Sequence, residues 1–236
     1  MLKFHRPTLV TLTAPTCSGK NYLRDAIENT FDWTRIVSTT TRPQRSGEVE
    51  GQDYCFISVE QSMKLEDAGA FAELITFRNT RYGVTKREMD SKMDAILPPM
   101  VILEPQGLEM YKTMCADNGW DIFTIYISAP ESVRIDRLNK RTINDLCAVT
   151  NKQRSSLVLN RFDNEVTQDI PKELEKLIAI HTDRLLSITN NERRWSNQSS
   201  WDAILPGDDV VKALDGLKMA VDWRNRKTQT PATYNH

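Results

Sequence analysis

The sequence predicts an α/β fold in which helices cover both faces of a parallel sheet. The first strand, Thr8 to Thr13, is rich in β-branched residues, and helical spacing follows from Tyr22 to Asn29. Further apolar strands alternate with helical segments, which is typical of a parallel sheet with crossover helices. At 236 residues the chain can bury a full core. We expect one domain that carries an insertion rather than two small domains.

The predicted elements follow one another in order. The strands are Thr8 to Thr13, Arg35 to Ser38, Tyr54 to Ile57, Phe71 to Phe77, Met100 to Glu104, Ile122 to Ile127 and Trp201 to Leu205. The helices are Tyr22 to Asn29, Val59 to Ala68, Thr85 to Met93, Gln106 to Asn118, Pro130 to Arg141, Leu174 to Ile188 and Val210 to Val221. The polar segment Thr142 to Asn160 has little periodicity and is expected to be a mobile lid or loop. The polar tail from Trp223 to His236 is expected to be disordered.

Composition limits the partners and the compartment. The formal net charge is −1 and the isoelectric point is about 6.3, so no overall basic field favours nucleic acid or an anionic membrane. No apolar run approaches the ~20 residues of a membrane span, and the N-terminus lacks a signal peptide's apolar core. The 4 cysteines and 3 histidines have no metal-ligand spacing. We therefore expect a cytoplasmic monomer or homodimer with free thiols and no structural zinc.

The loop after the first strand has the pattern of a phosphate-binding loop, A-P-T-C-S-G-K-N. In such loops backbone N–H groups point at the phosphates, a lysine neutralises the β and γ oxygens, and a following hydroxyl binds Mg²⁺. Ala14 stands where a glycine is commoner, and Asn21 replaces serine or threonine, although its amide oxygen could still bind Mg²⁺. A plain strand-to-helix turn is the alternative. The predicted ATP contacts are Ala14, Pro15, Thr16, Cys17, Ser18, Gly19, Lys20 and Asn21.

A second phosphate signal lies between Ser38 and Ile57, which reads S-T-T-T-R-P-Q-R-S-G-E-V-E-G-Q-D-Y-C-F-I. Arg42 and Arg45 stand three residues apart around Pro43. Each guanidinium can offer a planar pair of donors to phosphate oxygens. One site for a triphosphate and one for a monophosphate together predict a kinase of small phosphorylated molecules.

These residues resemble the guanylate kinase family, which transfers phosphate from ATP to GMP or dGMP. The resemblance rests on S-x-T-T-R-P-x-R-x-G-E-x-x-G-x-D-Y-x-F, matched from Ser38 to Phe56, and extends from about Val10 to Ala213. It implies a three-layer P-loop kinase core with a parallel sheet, a small mixed insertion that binds the nucleoside monophosphate, and a helical lid. The implied core comprises residues 1–34, 94–141 and 166–222, the insertion 35–93, the lid 142–165 and the polar tail 223–236.

The resemblance also implies roles for individual residues. The phosphate of the monophosphate would be held by Ser38, Arg42, Arg45 and Tyr54. Glu73 would read the base, and Tyr82, Gly83 and Glu104, which stands at the second acidic position of the family's I-L-D-x-D-x-Q-G, would be further substrate-binding residues. The cations that assist phosphoryl transfer would be Lys20, Arg42, Arg45, Arg137, Arg141 and Arg161, with ATP and Mg²⁺ bound at the phosphate loop.

Besides Ala14 and Asn21, the sequence departs from the family pattern at three further places. Val84 replaces a hydroxyl that helps to read the base, Ile102 replaces an acidic residue on the metal side, and Pro206-Gly207 stands where an asparagine near the adenine is expected. Two other functions therefore stay open. One is a kinase of another monophosphate or phosphorylated small molecule on the same fold, and the other is a catalytically silent domain that binds protein ligands. Taken alone, Arg137 and Arg141 would be typical of a solvated helix face.

Overall fold

The computed structural model describes residues 2–45, 47–77, 79–103, 107–159, 172–190 and 201–229. The strands in these ranges are β1 (Thr8–Thr13), β2 (Thr34–Arg35), β3 (Thr39–Thr40), β4 (Cys55–Phe56), β5 (Phe71–Phe77), β6 (Thr80–Thr85), β7 (Pro99–Ile102), β8 (Asp121–Ser128) and β9 (Ala203–Pro206). The helices are α1 (Lys20–Phe31), α2 (Val59–Asp67), α3 (Lys86–Met93), α4 (Leu108–Asp117), α5 (Glu131–Leu159), α6 (Lys172–Asn190) and α7 (Val210–Gln229).

The core is a five-stranded sheet in the order β2-β7-β1-β8-β9, in which all neighbouring strands are parallel. Strand β1 is central and pairs along its whole length with β8, from Thr8 opposite Asp121 to Thr13 opposite Tyr126. Because the strands are parallel, their carboxyl ends share one edge of the sheet. In open parallel sheets this edge is where ligands bind.

Helices cover both faces of this sheet, which confirms the predicted three-layer α/β core. Alternate residues of β1 pack into two separate clusters, because successive side chains of a strand point to opposite faces. Val10 and Leu12 join the cluster that includes Leu23 of α1 and Leu217 of α7, whereas Leu9 joins the cluster that includes residues of α3 and α4. Burial on both faces explains why β1 is fully buried.

The insertion is a smaller sheet in the order β4-β3-β6-β5, with one parallel and two antiparallel pairings. Its mixed character was predicted. Strands β5 and β6 form a hairpin whose turn contains Asn79 in the left-handed conformation, with φ of 59°. Helix α2 begins with a capping box, in which Ser58 accepts from the Gln61 backbone and the Gln61 side chain accepts from the Ser58 backbone.

Two segments expected to be irregular are helical in the described ranges, while the expected lid at 142–165 stays a prediction. Helix α5 does not end near Arg141 but continues to Leu159, through the segment expected to be a lid or loop. Helix α7 likewise runs past Trp223 to Gln229, where a disordered tail was expected. Neither stretch contains glycine or proline, so no residue in it interrupts the backbone hydrogen bonds of a helix.

The remaining differences concern short elements and the ends of strands. Of the predicted strand Arg35 to Ser38 only Arg35 is in a strand, at the end of β2, and the next strand, β3, begins at Thr39. Strand β6 was not predicted as a strand. The predicted helices α2, α3 and α4 are present with ends shifted by a few residues or fewer. No helix in the described ranges has the length and apolar character that a membrane crossing requires.

Candidate active site

One cavity, of about 830 Å³, opens at the carboxyl ends of the core strands. The phosphate loop, the insertion and helices α5 and α6 surround it. Four groups of residues line it: the phosphate loop from Pro15 to Asn21, the arginine loop with Arg42, Arg45 and Glu48, the base pocket with Glu73, Gly83 and Tyr111, and the helical side with Arg137, Arg141 and Arg184. The two phosphate signals of the sequence therefore face one space.

The phosphate loop, Ala14 to Asn21, connects the end of β1 to the first turn of α1. Helix α1 begins at Lys20, and its preceding residue, Gly19, has a left-handed φ of 94°. Cys17 also has a positive φ, 63°, a conformation that is uncommon for residues other than glycine. The Lys20 ammonium donates to the carbonyl oxygen of Ala14 at 3.2 Å. A helix N-terminus beside a lysine favours an anion in the adjoining space.

The loop that follows β9 packs directly against the phosphate loop. A β-carbon on Gly207 would overlap the carbonyl oxygen of Ser18 and lie 2.9 Å from Ile127 Cγ2. Arg137 of α5 joins the two loops, since its guanidinium donates to the Cys17 carbonyl at 3.2 Å and to the Gly207 carbonyl at 2.9 Å. Glycine at position 207 and arginine at position 137 therefore hold the phosphate loop against the end of the sheet.

The arginine loop, Arg42 to Gly51, is organised around Glu48. The Glu48 carboxylate accepts two hydrogen bonds from Arg42, at 2.9 and 2.8 Å, and one from the Arg45 backbone N–H at 2.8 Å. Burial alone would raise the pKa of Glu48, but the bonds from Arg42 and Arg45 outweigh it and lower that pKa. The Arg42 guanidinium also lies over the Tyr54 ring, 5.2 Å from its centroid.

Positive charges crowd the middle of the cavity. Burial lowers the pKa of Arg45, and the nearby charges of Arg42 and Arg141 lower it further. Burial also lowers the pKa of Arg184 on α6, again with contributions from Arg141 and Arg45. Like charges held this close favour a bound polyanion, which would relieve their mutual repulsion.

The base pocket is built on the hairpin of the insertion. Glu73 of β5 is 7% exposed, and burial raises its pKa to about 6, although hydrogen bonds from Tyr111 and the Val84 backbone act in the opposite direction. The Tyr111 hydroxyl donates to Glu73 Oε2 at 3.1 Å. Gly83 leaves no room for a side chain, because a β-carbon there would lie 2.5 Å from the Glu73 carbonyl oxygen. Val84 is fully buried in the core.

Oxygen donors near the start of α1 fit a Mg²⁺ ion that arrives with its own phosphate ligands. Asn21 offers an amide oxygen on the cavity wall, and the buried Ser18 hydroxyl has no hydrogen-bond partner among the described residues. Ile102 lines the cavity without a polar group. No set of three or more acidic, histidine or cysteine side chains suited to a metal occurs in the described ranges. Mg²⁺ commonly keeps waters and phosphate oxygens as ligands, so few protein donors suffice.

The structure brings most of the predicted site residues to this cavity. Ala14, the first residue of the phosphate loop, is buried and is not part of the cavity wall. Glu104 and Arg161 lie outside the described residues, so their predicted placement stays a prediction. The remaining predicted residues line the cavity: Pro15, Thr16, Cys17, Ser18, Gly19, Lys20, Asn21, Ser38, Arg42, Arg45, Tyr54, Glu73, Tyr82, Gly83, Arg137 and Arg141. The cysteines are free thiols, as expected.

Among the cavity residues that the sequence did not predict, Glu48, Tyr111 and Arg184 matter most for the site. Glu48 was recognised in the motif but given no role. Tyr111 is part of an apolar helical pattern, in which a buried hydroxyl leaves no signal. Arg184 shares one face of α6 with Ile180 and Ser187, and all three line the cavity. Their spacing, i, i+4 and i+7, places them on one face of the helix, and this spacing was a signal in the sequence that they could reach the same site.

A phosphate loop after a central parallel strand, facing the arginine loop across one cavity, is typical of the P-loop class of proteins. The guanylate kinase family model matches residues 6–178, well over half of the chain. The chain belongs to the guanylate kinase family.

Individual relatives show the same relationship. The guanylate kinase of Chlamydia trachomatis serovar D is 32% identical over 139 residues, which is 57% of this chain and 65% of that protein. The guanylate kinase of Syntrophotalea carbinolica is 28% identical over 179 residues, 73% of this chain and 83% of the relative. The crystal structure of guanylate kinase from Anaplasma phagocytophilum shares the fold, with a TM-score of 0.56 at 18% identity. The match covers 98% of this chain and 91% of that chain. Some of these matches cover just under two thirds of the relative's own length. The match to the guanylate kinase of Chlamydia felis covers 63% of that protein.

Proposed function

We propose that the protein is a nucleoside monophosphate kinase that transfers the γ-phosphate of ATP to GMP or dGMP. The observation that carries this proposal is the single cavity whose wall contains both Lys20 of the phosphate loop and the Arg42 and Arg45 pair. Two nucleotides bound at these sites would meet phosphate to phosphate. Membership of the guanylate kinase family supports ATP as the donor and GMP as the acceptor.

The donor end would bind the phosphates of ATP. The backbone N–H groups of Thr16, Cys17 and Gly19 and the N-terminus of α1 suit the phosphate oxygens, and Lys20 supplies a positive charge. Mg²⁺, held by ATP and by Asn21, would neutralise phosphate charge. Arg137 keeps the phosphate loop in place through its bonds to Cys17 and Gly207. This role differs from the direct contact with phosphate that the family resemblance implied.

The acceptor end would bind the monophosphate. Ser38, Arg42, Arg45 and Tyr54 line one side of the cavity and offer hydroxyl and guanidinium donors to its phosphate. Glu73 would accept hydrogen bonds from a base that carries N–H groups on its edge. Tyr82 and Gly83 form the adjoining wall.

Phosphoryl transfer itself needs mainly position and positive charge. An oxygen of the acceptor phosphate attacks the γ-phosphorus of ATP, the bond from that phosphorus to the bridging oxygen breaks, and ADP leaves with the bond's electrons. Arg141 and Arg184 face the space between the two phosphate sites, where they would stabilise the charge on the migrating group. Helices α5 and α6 carry them, and a hydrogen bond of 2.7 Å between Thr142 and His181 joins these helices.

A different monophosphate is the second candidate. Val84 is fully buried and offers no side-chain hydroxyl to a base, and Ile102 adds an apolar wall. Both features favour a substrate with fewer polar groups on one edge than guanine has. A silent protein-binding domain has less support, because Lys20 and the crowded arginines would serve no purpose without an anion.

The test is an assay of ADP release with GMP, dGMP, dTMP, AMP and CMP as acceptors, with Lys20→Ala as the control. The proposal expects release that depends on GMP or dGMP and is lost in the variant. A clear preference for another acceptor would favour the second candidate. If no monophosphate stimulated ADP release, both kinase functions would fail.

A further inference from the structure

A buried hydrogen bond connects the base pocket to helix α4. Tyr111 is 1% exposed and Glu73 is 7% exposed, and the Tyr111 hydroxyl donates to Glu73 Oε2 at 3.1 Å. Burial and the charge of Glu73 raise the pKa of Tyr111 well above its ordinary value, so the hydroxyl keeps its proton and acts as the donor. The bond spans elements that are 38 positions apart in the chain, and the proposed kinase chemistry does not use it.

The bond determines how the carboxylate faces the cavity. An ionised carboxylate offers about four acceptor positions. The Tyr111 hydroxyl and the Val84 backbone N–H occupy two of them. The other oxygen, Glu73 Oε1, lies next to Gly107, 4.0 Å from where a β-carbon of that residue would stand, and Gly107 lines the cavity. The acceptor positions that remain are therefore available to a ligand.

We propose that Tyr111 is a positioning residue for base recognition, holding the Glu73 carboxylate in one orientation so that its remaining acceptors meet two adjacent N–H donors of a guanine base. The inference rests on the proposed function and adds to it the residue that sets base specificity. Guanine presents the N1–H and the N2 amino group side by side, hypoxanthine presents only N1–H, and adenine presents an acceptor at N1. A carboxylate fixed by Tyr111 favours guanine over hypoxanthine, and hypoxanthine over adenine.

The hydrogen bond from Tyr111 also affects the pKa of Glu73. Burial raises its pKa to about 6, and the bonds from Tyr111 and Val84 keep it from rising further. Tyr82 of β6 lines the same cavity, and Cys115 lies one turn beyond Tyr111 on α4. Burial and Asp121 raise the pKa of Cys115 to about 11, so that thiol stays neutral near pH 6. Loss of the Tyr111 hydroxyl should therefore raise the pKa of Glu73, because one bond to its charged form disappears.

The test is Tyr111→Phe, which removes one oxygen and keeps the ring. We expect the KM for GMP to rise about tenfold, because a hydrogen bond to a charged group is lost, while kcat and the KM for ATP stay within about twofold of the wild type. The preference for GMP over IMP should narrow. The acid limb of kcat/KM for GMP should move to higher pH, and a ¹³C titration of the Glu73 carboxyl without nucleotide should show the same upward shift.

The matched control is Cys115→Ala, which alters the same buried face of α4 without touching Glu73. It should leave the KM for GMP, the GMP to IMP preference and the acid limb unchanged. The inference is overturned if Tyr111→Phe, folded as judged by circular dichroism, behaves like this control in all these measurements. A wild-type protein that releases no ADP with GMP would overturn the proposed function and this inference together. An active wild type with an unaffected Tyr111→Phe variant would overturn this inference alone.

Discussion

At the phosphate-loop end of the cavity Arg137 and Gly207 contact backbone carbonyls, whereas the arginine-loop end is organised around one side chain, the Glu48 carboxylate, which binds the Arg42 guanidinium and the Arg45 backbone N–H. Arg137 binds two carbonyl groups, and Gly207 packs against the Ser18 carbonyl. At the other end Arg42 binds Glu48 through both of its terminal nitrogens. Backbone groups are the same in every residue, so the first end tolerates sequence change as long as its shape is kept. The second end depends on the identity of its side chains.

This difference accounts for the departures from the family pattern at the two phosphate-binding ends of the cavity, but not for those at Val84 and Ile102, which belong to neither loop. The run from Ser38 to Phe56 is matched in full at its motif positions. Ala14, Asn21 and Gly207, by contrast, stand where other residues are expected, and all three belong to the end that backbone atoms build. Variants at the two ends, and at the arginines between them, can therefore separate effects on ATP from effects on the monophosphate.

The largest effect is expected between the two ends. Arg184→Ala and Arg141→Ala each remove a positive charge that would stabilise the migrating phosphoryl group, and kcat should fall by about 10³-fold or more, as for other arginines in such a role. Steady-state and single-turnover kinetics measure the loss. Lys140→Ala is the control, because that side chain is 73% exposed and pairs with Asp136. A kcat for either arginine variant equal to that of the control would remove these residues from catalysis.

The second largest effect is expected from a variant at the phosphate-loop end of the cavity. Gly207→Ala forces a methyl group into the Ser18 carbonyl, which should cost about 1–3 kcal/mol of stability, lower the Tm by roughly 5 °C, and raise the KM for ATP more than the KM for GMP. Calorimetry measures the change in stability and Tm, and steady-state kinetics measures the KM values for ATP and GMP. Gly216→Ala is the matched control on α7, where the new methyl group would lie 3.3 Å from the side-chain atom Leu205 Cδ2. Equal losses of stability and of ATP affinity in the two variants would show that the packing at Gly207 is no more critical than the packing at Gly216.

A smaller effect is expected at the side-chain-built end. Tyr54→Phe keeps the ring that packs beside Arg42 and Phe56, whose centroid is 5.9 Å from that of Tyr54, and removes only the hydroxyl. The KM for GMP should rise about tenfold, since one hydrogen bond to a charged phosphate is lost. The KM for ATP should not change. A variant that weakened ATP and GMP equally would contradict the division of the cavity into two ends.

The smallest effect concerns the metal. Asn21→Ser restores a hydroxyl of the kind that binds Mg²⁺ after the lysine of a phosphate loop, and activity at limiting Mg²⁺ should increase by less than about tenfold. A magnesium titration at fixed nucleotide concentrations measures this change. Unchanged or lower activity would mean that the site has adapted to the amide of Asn21.

The sequence predicts the buried parts of the fold best. Strands β1 and β5 begin and end at the predicted residues, because β-branched and apolar runs bounded by turns leave little freedom. The continuation of α5 to Leu159 was missed because its polar residues lack an apolar period. Helices stabilised by neighbours rather than by an amphipathic face carry little signal in the sequence.

The sequence indicated which residues reach the cavity where a motif fixes the chain locally, and missed residues that tertiary packing brings there. Arg42 and Arg45 lie within one loop, so their spacing alone indicated a shared phosphate. Arg184 and Tyr111 reach the cavity from α6 and α4, far from either motif, and only the folded chain brings them to Arg141 and Glu73. The bond from Tyr111 to Glu73 joins residues whose sequence neighbourhoods share no pattern.

The most direct test of the two-site cavity is the binding of a bisubstrate ligand in which adenosine and guanosine are joined through five phosphates. Isothermal titration calorimetry should give one ligand per chain, and both ATP and GMP should compete with it. Lys20→Ala and Arg42→Ala should each weaken its binding, because each removes a charge at one end of the same ligand. Competition by only one of the two nucleotides, or binding that is insensitive to one of the two variants, would contradict a shared cavity.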